Sequence, residues 1–121
     1  MKTIVTVCDT CNRAEKRGTD IVPKDGEIFA SLLELAASGQ EDIEVRRFGC
    51  LAGCDHACNV AVQEDGKFSY VLGHFEPTQE KAEAIIDFAN MYHGSKTGMV
   101  PLKERPAALK GHMRAKLPIL D

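Results

Sequence analysis

The 121-residue sequence has no tryptophan, and its two tyrosines and five phenylalanines amount to only 6% aromatic residues. It has no apolar run near the ~18–20 residues that span a bilayer, so it predicts no transmembrane helix. The opening Met1–Cys8 stretch carries one lysine and a very short apolar run. It lacks the longer apolar region and small-residue cleavage site of a secretory signal, which places the expectation in a reducing cytoplasm. Also missing are a glycine-rich phosphate loop, a serine-hydrolase elbow and an HExxH helix. Nothing suggests a substrate pocket with its own acid–base chemistry, and the expectation is a protein that is not an enzyme. What the chain does have is five cysteines. Where disulfides do not persist, clustered cysteines more often bind metal or perform redox chemistry.

At 44% hydrophobic and 27% charged residues the composition is that of one ordinary folded domain. The net charge of −3 is unevenly spread: residues 1–93 carry −7 and residues 94–121 carry +4. This divides the chain into a domain, 1–93, and a basic C-terminal arm, 94–121. Pro101, Pro106 and Pro118 with Gly98 and Gly111 leave the arm no room for a long helix. With no aromatic residue to stack on bases and only six scattered cations, the arm is a poor nucleic-acid ligand. The expectation is an irregular arm wrapped on its own acidic body, anchored by Met99, Val100, Leu102, Leu109, Leu117, Ile119 and Leu120.

Within the domain, Lys2–Val7 alternates and is β-branched, predicting a strand that delivers Cys8. Asp9–Lys24 reads as loop. Residues Glu27–Ala37 place Ile28, Phe29, Leu32, Leu33, Leu35 and Ala36 at helical spacing, with Asp25 as cap and Gly39 as stop. Ile43–Phe48 is a second strand, so the three elements suggest a parallel βαβ unit. Asn59–Gln63 and Phe68–Leu72 flank a turn containing Asp65-Gly66, a hairpin signal. Pro77 and Thr78 open a last helix, with Ala82, Ile85, Ile86, Ala89 and Tyr92 on one stripe, closing at Gly94. The order βαβ then ββα is that of a thioredoxin-like α/β core with a mixed sheet.

The cysteines fall in two groups. Cys8 and Cys11 follow the first strand; Cys50, Cys54 and Cys58 lie between the second strand and the hairpin. Parallel strands of a βαβ unit are neighbours, so both groups converge at one sheet edge. Thiolates packed together repel, and the arrangement is favourable mainly around a metal ion or iron–sulfur cluster. Gly49 and Gly53 flank the second group and permit close backbone approach. Three other readings remain at this point. One or more cysteines, Cys58 foremost, are buried small hydrophobes. Four thiolates hold a structural zinc. Or Cys8 and Cys11 are a redox dithiol, an arrangement that wants a helix N-terminus beside it, whereas the helical pattern starts more than ten residues later.

The stretch Gly49-Cys50-Leu51-Ala52-Gly53-Cys54-Asp55-His56-Ala57 resembles the second cysteine motif of thioredoxin-like [2Fe-2S] ferredoxins. That resemblance covers about residues 1–93. It implies Cys8, Cys50 and Cys54 as cluster ligands, Cys11 as the fourth, and Cys58 as the alternative at a position where those proteins carry proline. The familiar members separate the first two cysteines more widely. The chain as a whole, including Arg105–Gly111 and Ala115–Pro118, is also similar to a bacterial family of small predicted metal-binding proteins, some encoded among cobalamin-biosynthesis genes. Together the resemblances imply an electron-transfer protein serving a redox partner protein in cobalamin or other metal-cofactor metabolism. The alternative is a zinc- or metal-binding module for delivery or structure. The related ferredoxins are often dimers, which makes a homodimer a further expectation.

Of the remaining residues, His56 is a candidate ligand by its place between Cys54 and Cys58, weighed against an exposed loop histidine. His74, His93 and His112 read as surface groups. Asp9 and Asp55 add negative charge beside the thiolates if they point inward. One of Arg46 and Arg47 is expected to face the cluster. The Ala52-Gly53 turn is expected to offer N–H donors to sulfur.

Overall fold

A computed structural model describes residues 2–16, 19, 21–49 and 57–119. Strand β1 (Thr3–Cys8) is followed by helix α1 (Asp25–Ala36), β2 (Ile43–Phe48), β3 (Val60–Gln63), β4 (Ser69–Leu72), helix α2 (Gln79–Gly94) and β5 (Met113–Leu117). The sheet order is β2-β1-β3-β4-β5. β1 and β2 are parallel, and the other three pairs are antiparallel. The fold is therefore α/β with a mixed sheet and a thioredoxin-like βαβ–ββα core.

The alternation read in the sequence sorts side chains between the two faces. Val5 and Val7 of β1, Val60 and Val62 of β3, and Tyr70 and Leu72 of β4 are fully buried. They meet Phe29, Ala30 and Leu33 of α1 and Ala82, Ile85, Phe88, Ala89 and Tyr92 of α2 in one core. Both helices pack on this side, because each carries an apolar stripe that must be removed from water. Thr78 caps α2 by accepting from the Lys81 N–H at 3.3 Å. Asp25 is the first residue of α1 rather than its cap. The Glu27 carboxylate accepts from the Lys24 N–H instead, at 3.2 Å.

Beyond the irregular arm expected from its prolines and glycines, the C-terminal residues supply a fifth strand. Ser69, Val71 and Leu72 pair with Leu117, Ala115 and Met113, with an irregularity between Val71 and Leu72. Val100 and Leu109 enter the core. Met99, Leu102 and Leu117, expected as anchors, stay exposed. His112 stacks on Phe75 with ring centroids 4.4 Å apart. The arm's cations hold it down locally: Arg105 Nε donates to Val100 O and its guanidinium lies over the Tyr70 ring, while Lys116 lies over Phe68. From the body, Lys81 Nζ donates to Ala108 O at 2.9 Å.

At the hairpin end, Glu64 gathers three elements. It accepts from Thr3 Oγ1 at 2.6 Å, pairs with Lys67 Nζ at 3.0 Å, and lies 2.7 Å from His93 Nδ1. Lys67 Nζ also donates to the last carbonyls of α2, Tyr92 O and His93 O. Burial pushes the Glu64 carboxyl up, but these donors and the lysine charge outweigh it and hold the pKa down at about 2. Because the folded-state pKa lies below its ordinary value of 4.5, the stabilisation is present above pH 4.5 and lost as pH falls toward 2. Acid unfolding of Glu64→Gln should accordingly show a shallower loss of stability over that window than the parent. Identical acid limbs would refute this role.

Candidate metal centre

Cys8 ends β1 and is buried, and Cys11 keeps only 4% exposure. With Ala57 they form a small cluster separate from the main core. The two cysteines are joined as a disulfide, with Cα atoms 6.0 Å apart. The stretch around them is tied to two other segments, the end of β2 and the residue before β3. Cys8 N–H donates to Asn59 O and Asp9 N–H to Phe48 O, each at 3.1 Å. Thr10 Oγ1 donates to Gly49 O. The sulfurs have polar neighbours as well: Cys8 Sγ lies 4.0 Å from Gly49 O and 3.7 Å from Thr10 Oγ1, and Asn59 Nδ2 faces Cys11 Sγ at 3.8 Å.

The helix beside this pair is the feature that sequence reasoning missed. Although α1 begins well after Cys11 in sequence, the intervening loop folds back, and Gly26 N–H donates to Cys11 O at 2.9 Å. Asp25 locks the return, accepting from the Arg13 N–H at 2.9 Å and pairing with Lys16 Nζ at 3.2 Å. Asn12 Oδ1 accepts from the Asp25 N–H at 3.0 Å. Contact is so close that a Cβ on Gly26 would lie 2.2 Å from Cys8 O. The one local signal was a glycine in the first turn of an amphipathic helix, a residue that weakens helices unless closeness demands it. The first turn of α1 therefore does meet the Cys-x-x-Cys loop, which removes the geometric objection to a dithiol.

Cys50, Cys54 and His56, with Ala52, Gly53 and Asp55, lie outside the described residues. Their flanks do not: Gly49 touches Cys8 and Thr10, and Ala57 belongs to the Cys8–Cys11 cluster. The segment carrying Cys50 and Cys54 thus leaves from and returns to the same pair. Among the described residues no three ligating side chains are grouped to hold a metal. Cys8 and Cys11 supply two soft sulfur donors, which suits half of a four-thiolate site once both are thiolates.

Cys58 differs from these. It is fully buried in the main core, its N–H donating to Phe75 O at 3.2 Å. Burial above all, then the negative charge of Asp25, pushes its thiol up to about 12. Without a metal beside it, it stays a neutral, buried thiol at ordinary pH. In the native protein it should resist maleimide labelling at pH 7.5 while denatured chain labels at once. Rapid native labelling would contradict this placement.

The remaining expectations sort differently. Arg46 pairs with Glu44 and Arg47 with Glu34 and Ser31, so both arginines are engaged along β2 and with α1. His93 lies against Glu64, and His112 stacks on Phe75, so neither is a free surface group; His74 is exposed. Among the described residues no helix is long and apolar enough to cross a membrane.

Set against known proteins, residues 5–119 match the model of a family described as protein of unknown function (DUF1636), and the chain belongs to that family. No curated protein and no solved structure matches it.

Proposed function

For this member of the DUF1636 family, we propose a small electron-transfer protein that holds one [2Fe-2S] cluster through Cys8, Cys11, Cys50 and Cys54. The observation that carries the reading is the meeting of Gly49 and Ala57, the two flanks of the segment with Cys50 and Cys54, at the Cys8–Cys11 pair. The sequence resemblance to thioredoxin-like ferredoxins supports the same four ligands. When bound, the cluster would supply one-electron chemistry. The chain's own part is to present the thiolates. The Asn59 amide faces Cys11 Sγ, Gly26 holds the loop by its backbone, and the buried Cys58 is left out. Phe48, paired in register with Cys8 and 57% exposed, offers an apolar contact for a redox partner protein beside the site. The protein passes electrons to a partner enzyme, in cobalamin or related metal-cofactor metabolism by resemblance, and performs no turnover itself.

Anaerobic purification with iron and sulfide analysis tests this. A red-brown protein with charge-transfer bands is expected, and Cys8→Ser, Cys50→Ser and Cys54→Ser should each lose most of the iron. Cys58→Ser should keep it. A colourless zinc-loaded protein would replace the cluster by the metal-module alternative.

A further inference from the structure

A disulfide holds no ligand: each sulfur's thiolate valence is used by the other, and metal binding needs both as thiolates. Cys8 and Cys11 are joined in this way at the position where the cluster reading requires two ligands. A bridge between residues three apart in sequence also restrains the unfolded chain far less than one closing a long loop. The bridge is therefore a poor staple. The loop is held instead by backbone and side-chain hydrogen bonds that do not involve the sulfurs, from Cys8, Asp9, Arg13, Asp25 and Gly26. Opening the bond leaves those intact.

We propose that the Cys8–Cys11 pair is a redox gate on the site, closed as a disulfide and opened to two thiol ligands by exchange with a dithiol donor. The inference rests on the cluster reading above. In the exchange a donor thiolate bonds to Cys11 Sγ, on the less buried of the two residues, as the Cys8–Cys11 bond breaks. Cys8 leaves with the bonding electron pair and takes up a proton, with Gly49 O placed to accept its S–H. The donor's second thiolate then closes the donor's own disulfide and releases Cys11 as a thiolate opposite the Asn59 amide. Two electrons pass from the donor dithiol to the protein disulfide.

The test uses the full chain, freed of metal and poised in oxidised or reduced glutathione buffers or dithiothreitol, then alkylated and mapped by peptide mass. Two labels, on Cys8 and Cys11, should appear on reduction and vanish on reoxidation. In Cys11→Ser the labelling of Cys8 should no longer fall in the oxidised buffer through an internal bridge. Iron and sulfide supplied to the oxidised chain should not bind, and the reduced chain should take them up. Cys8 and Cys11 labelling fully in oxidised glutathione, with cluster uptake intact, would overturn the gate and spare the cluster reading. Redox-dependent labels on Cys50 and Cys54 in place of Cys8 and Cys11 would overturn it as well. Reversible bridging with no uptake of iron–sulfide or zinc in either state would defeat the cluster reading, and the gate with it.

Discussion

Gly26→Ala should be among the most damaging single substitutions in the protein. The added methyl would sit 2.2 Å from Cys8 O and about 3 Å from the Asp9 backbone, and none of these atoms can swing aside. Alanine favours a helix over glycine by up to ~1 kcal/mol. Forcing β1 and α1 apart costs roughly 1–3 kcal/mol or more, so the clash wins. A melting temperature lower by on the order of 5–10 °C is expected. The site should suffer more than the fold, because the Gly26–Cys11 hydrogen bond is the first contact to break. Gly94→Ala is the control. Its Cβ meets nothing within 4 Å, so it should be neutral or slightly stabilising. If both variants melt alongside the parent, the close approach at Gly26 is not as described.

Deleting residues 99–121 should come close to unfolding the chain. Val100 and Leu109 are core residues, and burial of each contributes roughly 1.5–3 kcal/mol. The Phe75–His112 stack and the β4–β5 pairing go with them. Against a typical domain stability of about 5–15 kcal/mol, that loss is a large share. Leu109→Ala, expected to cost about 2–5 kcal/mol, is the milder version whose melt remains measurable. High salt should not imitate either change, since the arm's basic groups bind carbonyls and rings rather than distant charges. An arm that can be removed with an unchanged melting temperature would refute this account.

The strands of the domain and both helices were legible because each has one buried face, and burial imposes a period of two or 3.6 on the residues. β2 matches its expected limits, Ile43–Phe48, and α2 closes at Gly94 as read. The strand Met113–Leu117 was not legible. It is largely exposed, and its order comes from pairing with β4, a partner no local pattern announces. At the site, the meeting of Cys8 with the end of β2 followed from parallel strand pairing alone. The docking of α1 on Cys11 did not, because it depends on how the loop between them returns through Asn12, Arg13, Lys16 and Asp25. The Glu64 network was hidden for a related reason: its members come from the start of β1, the hairpin and the end of α2.

The contacts around Cys8 and Cys11 join residues far apart in the chain: Cys8 meets Gly49 across 41 positions, and Asn59 meets Cys11 across 48. Pairings of such range form slowly, because chain ends must be brought together before any contact rewards them. The dithiol loop therefore acquires its surroundings only after β1, β2 and the start of β3 have all been synthesised and have found one another. Until then Cys8 and Cys11 belong to an open, flexible stretch, free to react with whatever thiol or metal the nascent chain encounters.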